Sequence, residues 1–305
     1  MLRGNIQDEI LDWLSVLLGG DYQRARVEAS GAGCINETYQ VARKNLPSVF
    51  IKVGKPGQLD MFEKEARGLD LLRQCDAIHV PQVYGAAQLN DCALLAIEFI
   101  SLSPLRAAQE SRFGAALAQL HSFEGDSFGL DHHNFIGRTH QINDWKSDWW
   151  TFYCENRLLP QRKLAQMKGM RSELLKELDR LIDVVPEAMR SHQPRASLLH
   201  GDLWSGNMAM DEAGVPTLFD PAVYYGDGET DLAMSRMFGA PGDAFYSAYH
   251  DIIPRQEGHE VRRGLYDLYH WLNHFNLFGV GYLGQVELTL DGLLQAMERS
   301  MKNQI

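Results

Sequence analysis

The chain has 305 residues, 45% of them hydrophobic and 23% charged, a composition that excludes a disordered or fibrous protein and leaves mass for one large or two intimate lobes. Its 29 Lys and Arg against 40 Asp and Glu give a formal charge of −11, which argues against a nucleic-acid partner and leaves room for a cationic substrate. The four cysteines, Cys34, Cys75, Cys92 and Cys154, form no C-x-x-C pair, and no run approaches the ~18 apolar residues of a membrane span, so the expectation is a cytoplasmic protein without disulfide framework, zinc site or membrane anchor.

In chain order, residues 5–18 place Ile6, Ile10, Leu11, Leu14, Leu17 and Leu18 on one face, predicting an outer helix with Asn5 as N-cap, ended by Gly19-Gly20. Asp8 and Glu9 arrive before a signal peptide's apolar core could form. The small-residue loop Ser30-Gly31-Ala32-Gly33-Cys34-Ile35-Asn36 lies before a strand at 38–42, and a turn at Lys44-Asn45 leads to the strand Val49–Val53. Such a loop lets backbone N–H groups approach a phosphate without side-chain obstruction, although G-x-G alone fits a plain hairpin. Lys52 strengthens the phosphate reading, because an ammonium within an apolar strand needs an anion, and the phosphates of ATP would supply one.

The helix expected over 61–73 carries Phe62, Ala66, Leu69 and Leu72 as its apolar stripe. Glu65 borders that stripe and is the candidate partner of Lys52, whereas Glu63 turns to solvent. A buried strand then spans Cys92 to Ile100, where the main-chain groups of Glu98, Phe99 and Ile100 are the candidates to meet adenine. The lobes divide here, 1–98 and 99–305.

In the second lobe, a helix over 110–121 ends at His121, read as a packed or capping histidine. Asp148 to Tyr153 opens another helix in an aromatic region that is core or the wall of an acceptor pocket. Leu174, Leu175, Leu178, Leu181, Ile182 and Val185 mark a scaffold helix closed by Pro186. Thr230 or Asp231 caps a helix through Phe238, and Asp227 and Glu229 are solvated loop acids or contacts to a positively charged acceptor. The last of these patterns, 261–278, carries His270, Asn273 and His274, for which packing is the expected role rather than metal binding.

The central stretch is His200-Gly201-Asp202-Leu203-Trp204-Ser205-Gly206-Asn207, followed by Phe219-Asp220-Pro221. Asp202 and Asn207 are five apart, the interval of the kinase loop H-R-D-x-x-x-x-N, with Gly201 in place of arginine. Phosphoryl transfer needs a carboxylate for the acceptor hydroxyl, an amide on the same loop and a second carboxylate to hold magnesium, roles that fit Asp202, Asn207 and Asp220. Short strands at 196–199 and 216–219, with a turn at 211–214, are expected to bring both acids to one end of a ribbon.

These motifs, with Phe62-x-x-Glu65-Ala66-x-Gly68-Leu69, Asp220-Pro221-Ala222-Val223-Tyr224-Tyr225-Gly226 and Leu268-Tyr269-x-x-Leu272-Asn273-His274, resemble the fructosamine kinase (ketosamine 3-kinase) family over nearly the whole chain. Trp204 inside the catalytic loop is the most discriminating residue. The resemblance implies an α+β, bilobal protein-kinase-like fold with a small, mainly antiparallel N-lobe and a mainly helical C-lobe, related to aminoglycoside and choline phosphotransferases. It implies ATP- and Mg2+-dependent phosphorylation of the 3-hydroxyl of a ketosamine, the sugar adduct of an amine or a protein lysine, which destabilises the adduct and acts as deglycation repair. Ribulose, erythrulose, fructose and psicose adducts are all compatible with these residues. Trp204, Asp227 and Glu229 are the candidates to touch the acceptor.

The family's G-G-G-C loop is Gly31-Ala32-Gly33-Cys34 here, one methyl larger, and Asp220 is followed by Pro221-Ala222 rather than Phe-Gly, with no A-P-E segment, so activity is expected to be constitutive. Cys34, on a loop whose amides attract anions, is a candidate redox switch linking two chains, although an inert small residue fits equally well. Two alternatives stand beside the ketosamine reading: the same fold acting on an aminoglycoside, choline or sugar hydroxyl, and a non-catalytic nucleotide-binding scaffold.

Overall fold

The computed structural model describes residues 4–31 and 36–302. In chain order these form α1 (Gly4–Leu18), β1 (Arg26–Ala29), β2 (Glu37–Ala42), β3 (Val49–Gly54), α2 (Leu59–Leu72), β4 (Val83–Gln88), β5 (Ala93–Glu98), β6 (Ser103–Pro104) and α3 (Glu110–His121). The hairpin β7 (Asn134–Ile136) and β8 (Thr139–Gln141) precedes α4 (Trp149–Tyr153), α5 (Leu159–Met167) and α6 (Ser172–Ala188). Then come β9 (Ser197–Leu199), β10 (Met208–Met210), β11 (Pro216–Leu218), β12 (Tyr224–Gly226), α7 (Glu229–Met237), α8 (Asp243–His250), α9 (His259–Phe278) and α10 (Leu283–Lys302). No helix among the described residues is long and apolar enough to cross a membrane.

The chain divides into two units, residues 1–104 with 209–221 and residues 105–208 with 222–305. In the first, five antiparallel strands lie in the order β1-β2-β3-β5-β4. Strand alternation gives the sheet two faces. One carries Val41, Val49, Ile51, Leu94 and Ala96, which pack with Ile10, Leu11 and Leu14 of α1 in one buried cluster. Thus α1 belongs to this unit's core rather than being an outer prop, and because it begins at Gly4, Asn5 lies within it instead of capping it. Lys52 falls on the opposite face, in register with Thr38 and Leu95, where α2 buries Phe62, Leu69 and Leu72.

The expected division at residue 98 shifts to 104, and residues 209–221 rejoin the first unit. Backbone pairing is the reason: β6 pairs antiparallel with β10, and β10 is flanked by β11 in the order β11-β10-β6. The expected ribbon of 196–199 with 216–219 is likewise corrected. The turn at 211–214 joins β10 to β11, whereas β9 pairs with β12 in a separate two-stranded sheet.

In the second unit, α3 and α8 approach so closely that a Cβ on Gly114 would stand 2.0 Å from the Phe245 carbonyl oxygen. Asp148 caps α4 by accepting from Thr151 N at 2.7 Å, as an N-cap side chain should. Trp149 and Trp150 are core rather than pocket wall, and Trp149 Nε1 donates to Tyr266 Oη at 3.0 Å. Helix α6 runs through Pro186 to Ala188 instead of stopping before it. Proline removes the N–H that would bond the carbonyl four residues back, and the Cys154 thiol donates to that Ile182 carbonyl oxygen at 3.7 Å.

Candidate active site

Lys52 is only 5% exposed. Its Nζ lies 2.5 Å from Glu65 Oε1 and 2.5 Å from Asp220 Oδ1, so β3, α2 and the segment after β11 each contribute one group to a triad within the first unit. Burial alone would discharge the lysine, but the charges of Asp220 and Glu65 outweigh it and hold the pKa above the ordinary lysine value. Burial pushes the Glu65 carboxyl up, with Lys52 opposing it. Glu63 is exposed, as its position off the apolar stripe predicts. Asp220 has a φ of 58°, a left-handed conformation that aspartate tolerates better than most side chains, and its side chain is 40% exposed.

At the phosphate loop, Ser30 N donates to Thr38 O at 2.9 Å and Gly31 adopts a φ of 64°. Asn36 lies immediately before β2. Ala32, Gly33 and Cys34, and with them the redox switch, lie outside the described residues. Of the three residues expected to meet adenine, Glu98 N donates to Gln82 O at 2.8 Å and Phe99 N to Ser48 O at 3.1 Å. Those two N–H groups are engaged by protein, which narrows the expected donor to Ile100.

In the second unit, β9 delivers His200, Gly201 and Asp202 to a loop fixed by its own backbone. Asp231, almost fully buried, accepts from His200 N at 2.7 Å and from Gly201 N at 2.9 Å, and its Oδ2 lies 3.2 Å from His121 Nε2. His121 Nδ1 pairs in turn with Tyr249 Oη at 2.8 Å. Burial raises the Asp231 carboxyl, but the bond and charge of His121 and the donated N–H groups more than reverse this and leave its pKa lowered. The expected N-cap role of Asp231 or Thr230 is therefore corrected: α7 begins at Glu229 with Gly228 before it, and Asp231 spends its carboxylate on the catalytic loop.

Past Asp202, the turn Ser205–Asn207 returns Asn207, whose Nδ2 donates to Asp202 O at 2.9 Å and lies 3.5 Å from Asp202 Oδ2. The Trp204 ring lies over Gly206, where a Cβ would stand 2.2 Å from it, and meets Phe238 edge-on at 6.3 Å. Ser205 Oγ donates to Phe238 O at 2.5 Å and seats the turn on the same residue. Asp202, Trp204 and Asn207 thus share one loop within this unit, and Asp220 belongs with Lys52 and Glu65 in the other.

Asp227 and Glu229 are not free loop acids but are engaged by protein partners. Asp227 is 4% exposed and accepts from Tyr266 Oη at 2.6 Å, with His192 Nε2 at 2.7 Å. Glu229 receives Arg262 through both oxygens, each at 2.7 Å. His192, Asp227 and Glu229 are close enough to suggest a metal site, but the Arg262 guanidinium already supplies the cation. No short-range spacing announces these partners, nor the hold of Asp231 on His200. His270 is buried and neutral, its pKa pushed down to about 3 by burial, and His274 Nδ1 donates to His270 O at 2.8 Å, consistent with packing.

Comparison with known proteins matches residues 6–296 to the family model described as fructosamine kinase. A Vibrio parahaemolyticus protein named probable ketoamine kinase is 38% identical over 283 residues, covering 92% of this chain and 96% of the relative. An Arabidopsis thaliana protein named protein-ribulosamine 3-kinase, chloroplastic, is 38% identical over 297 residues, covering 96% of this chain and 89% of the relative. A crystal structure from Haemophilus somnus, provisionally assigned as a fructosamine-3-kinase, superposes with a TM-score of 0.85 at 29% identity, covering 93% of this chain and 96% of that one. The choline kinase LicA of Streptococcus pneumoniae shares the fold alone, with a TM-score of 0.64 at 15% identity and coverage of 96% and 100%.

Proposed function

Since the chain belongs to the fructosamine kinase family, we propose that it is an ATP-dependent kinase that phosphorylates the 3-hydroxyl of ketosamines. The observation that carries this reading is the Lys52–Glu65–Asp220 triad of the first unit, together with the second unit's Asp202–Asn207 loop, whose backbone is held by Asp231. A pure binding module has no need of a positioned base. In this reading Lys52, oriented by Glu65, holds phosphate oxygens, and the loop from Gly31 through Ala32, Gly33 and Cys34 to Asn36 covers them with backbone N–H groups. Main-chain groups of Glu98, Phe99 and Ile100 meet adenine, with Ile100 the candidate N–H donor among them. Asp202 accepts or orients the proton of the acceptor hydroxyl, and Trp204 walls the acceptor.

Asn207 and Asp220 are the residues that would hold Mg2+. Their donors are oxygens, which suit a hard divalent ion, and one ammonium between two carboxylates leaves a net negative charge that a cation would balance. Mg2+, when bound, supplies neutralisation of phosphate charge. Catalysis from the chain's own residues is then positioning and fixed charge, since loop, triad and base are set before the acceptor arrives. Phosphorylated ketosamines decompose, so the activity serves deglycation. Cys75, Cys92 and Cys154 are buried free thiols, in keeping with a reducing cytoplasm.

The test is ATP consumption with magnesium on ribulose-lysine and fructose-lysine, run beside Asp202→Asn, with the position of the phosphate read by NMR. Phosphate on the 3-hydroxyl, lost in the variant, is the expected result. ATP binding without turnover on either adduct would sink the ketosamine assignment, and turnover on choline or an aminoglycoside would replace it.

A further inference from the structure

The hairpin β7–β8 and the segment after it carry buried polar side chains that the site described above does not use: Asn134, Gln141, Asn143 and Arg157. Polar groups at such depth need partners, and here the partners form one connected chain. Arg157 donates to the Ile142 and Asn156 carbonyls and, at 2.8 Å, to Asn143 Oδ1. Asn143 Nδ2 donates to Asn134 Oδ1 at 2.9 Å, and Gln141 Nε2 donates to the same oxygen at 2.9 Å. The chain ends on backbone: Asn134 Nδ2 donates to Val223 O at 2.8 Å, and Gln141 Nε2 to Ala222 O at 3.0 Å. Tyr269 Oη fixes the other end of the Gln141 amide by donating to its Oε1 at 2.8 Å.

Two features set this network apart from ordinary core. Its hub is a buried cation that no carboxylate pairs with among the described residues; the Arg157 guanidinium lies instead over the rings of Tyr224, at 4.0 Å, and Phe152, at 4.6 Å. Where stability alone matters, an apolar filling of similar volume is often the more stable choice. The second feature is what the network holds. The β12–β9 ladder covers Tyr224–Gly226, so the carbonyls of Ala222 and Val223 lie before it and take their donors from Gln141 and Asn134. Ala222 N in turn donates to His200 O at 2.8 Å, so a single residue, Ala222, links Gln141 to the catalytic loop. Asp231 grips that loop by the N–H groups of His200 and Gly201, and the Arg157 network grips it by the His200 carbonyl.

We propose that Gln141 and Asn134, oriented by Arg157 through Asn143, are positioning residues for phosphoryl transfer: they fix the Ala222–Val223 main chain and, through it, the carbonyl side of the His200-Gly201-Asp202 loop. This rests on the kinase reading of Asp202 above and is independent of which acceptor hydroxyl is used. It gives the β7–β8 hairpin a part in the reaction although none of its side chains touches the reacting groups.

The experiment uses the full chain as wild type, Gln141→Met, Arg157→Lys and a control, Leu181→Ala, which opens a cavity in the buried face of α6 away from this network. For each, the thermal midpoint, kcat and KM for ATP with ribulose-lysine are measured, together with amide hydrogen exchange of peptides spanning 200–202, which needs no acceptor. Gln141→Met fills similar space without a donor and is expected to lower kcat about tenfold or more, because misplacing reacting groups slightly is enough to slow transfer. KM for ATP should stay within about twofold, and exchange at 200–202 should quicken about tenfold. Arg157→Lys keeps the charge but not the planar fork and should change both in the same direction. Leu181→Ala is expected to lower the midpoint at least as far while kcat and loop exchange stay near those of the wild type. Wild-type kcat and exchange in Gln141→Met, or equal losses in Leu181→Ala, would overturn the proposal. Absence of turnover in the wild type would sink the ketosamine reading separately, and the exchange comparison would still decide whether Gln141 holds the loop.

Discussion

The carbonyl oxygen of Ala222 lies where it would be 2.1 Å from a Cβ on Gly201, and Gly201 has a φ of 81°. Both facts require glycine at this position and account for the missing arginine of the H-R-D pattern. Gly201→Ala is expected to cost about 2–4 kcal/mol, from left-handed strain and from overlap with backbone that cannot move aside. Because Asp202 is the next residue, turnover should fall more than stability. Chemical denaturation and kcat measured on the same variant check this, and a variant of wild-type kcat would refute it.

The triad around Lys52 should behave as a unit. Lys52→Met leaves two carboxylates facing each other without their ammonium, and removing one partner of a buried ion pair typically costs about 3–5 kcal/mol. Adding Glu65→Gln to that variant removes one of the stranded charges. The double variant is therefore expected to be more stable than Lys52→Met alone, a departure from additivity that a thermal-melt cycle measures directly. Neither variant should retain more than a small fraction of ATP turnover.

Acid sensitivity follows from Asp227 and Asp231, whose carboxyl groups are held below the ordinary range despite burial, by His192 and Tyr266 in one case and by His121 and the loop N–H groups in the other. A depressed folded pKa contributes stability above the unfolded value, near ~3.9, that is lost as pH falls through the folded value. Thermal midpoints should accordingly drop steeply below about pH 4. Asp227→Asn is expected to be less stable at pH 6 but to show a shallower decline between pH 4 and pH 3.

Asp267 should act in the opposite direction. Burial pushes its carboxyl up to about 7, with Arg263 and Arg236 opposing, and its Oδ1 is buried without a hydrogen-bond partner. A raised carboxyl costs stability progressively as pH climbs from the unfolded pKa through the folded one. Asp267→Asn is therefore expected to stabilise the protein by about 1–3 kcal/mol at pH 8 and by little at pH 4. Equal midpoints of variant and wild type at pH 8 would show that the aspartate is compensated there.

The readable part of the site was the part carried by short intervals. Lys52 stood out as an ammonium in an apolar strand, Glu65 by its place on the border of a helical stripe, and Asp202 and Asn207 by a five-residue interval inside one loop. Strands β2, β3 and β5 of the five-stranded sheet and helices such as α2, α3 and α9 followed from apolar patterning, since a helix or strand must bury one face whatever it packs against, whereas β1 and β4 carry no such run and emerged only from the pairing. Family motifs then supplied the fold and the chemistry.

Partners distant in sequence were not readable. Asp231 lies 31 residues from His200, and its carboxylate serves that residue's N–H rather than its own helix. Asp227 and Glu229, which look like loop acids, are claimed by His192, Tyr266 and Arg262. Pro186, a stop signal in isolation, sits inside α6 beside the Cys154 thiol that bonds the carbonyl it leaves. Which strand takes β11 is likewise a matter of tertiary pairing: β10 and β9 are both short apolar runs, and the β6–β10 pairing sets one apart from the other. The sequence by itself determined where chain segments turn, which faces are apolar and which residue types stand ready for phosphoryl transfer, because these depend on neighbours a few positions away. Only the tertiary structure decided which buried polar group satisfies which other, because each such group must find a partner on folding and the one it finds is set by where distant segments meet.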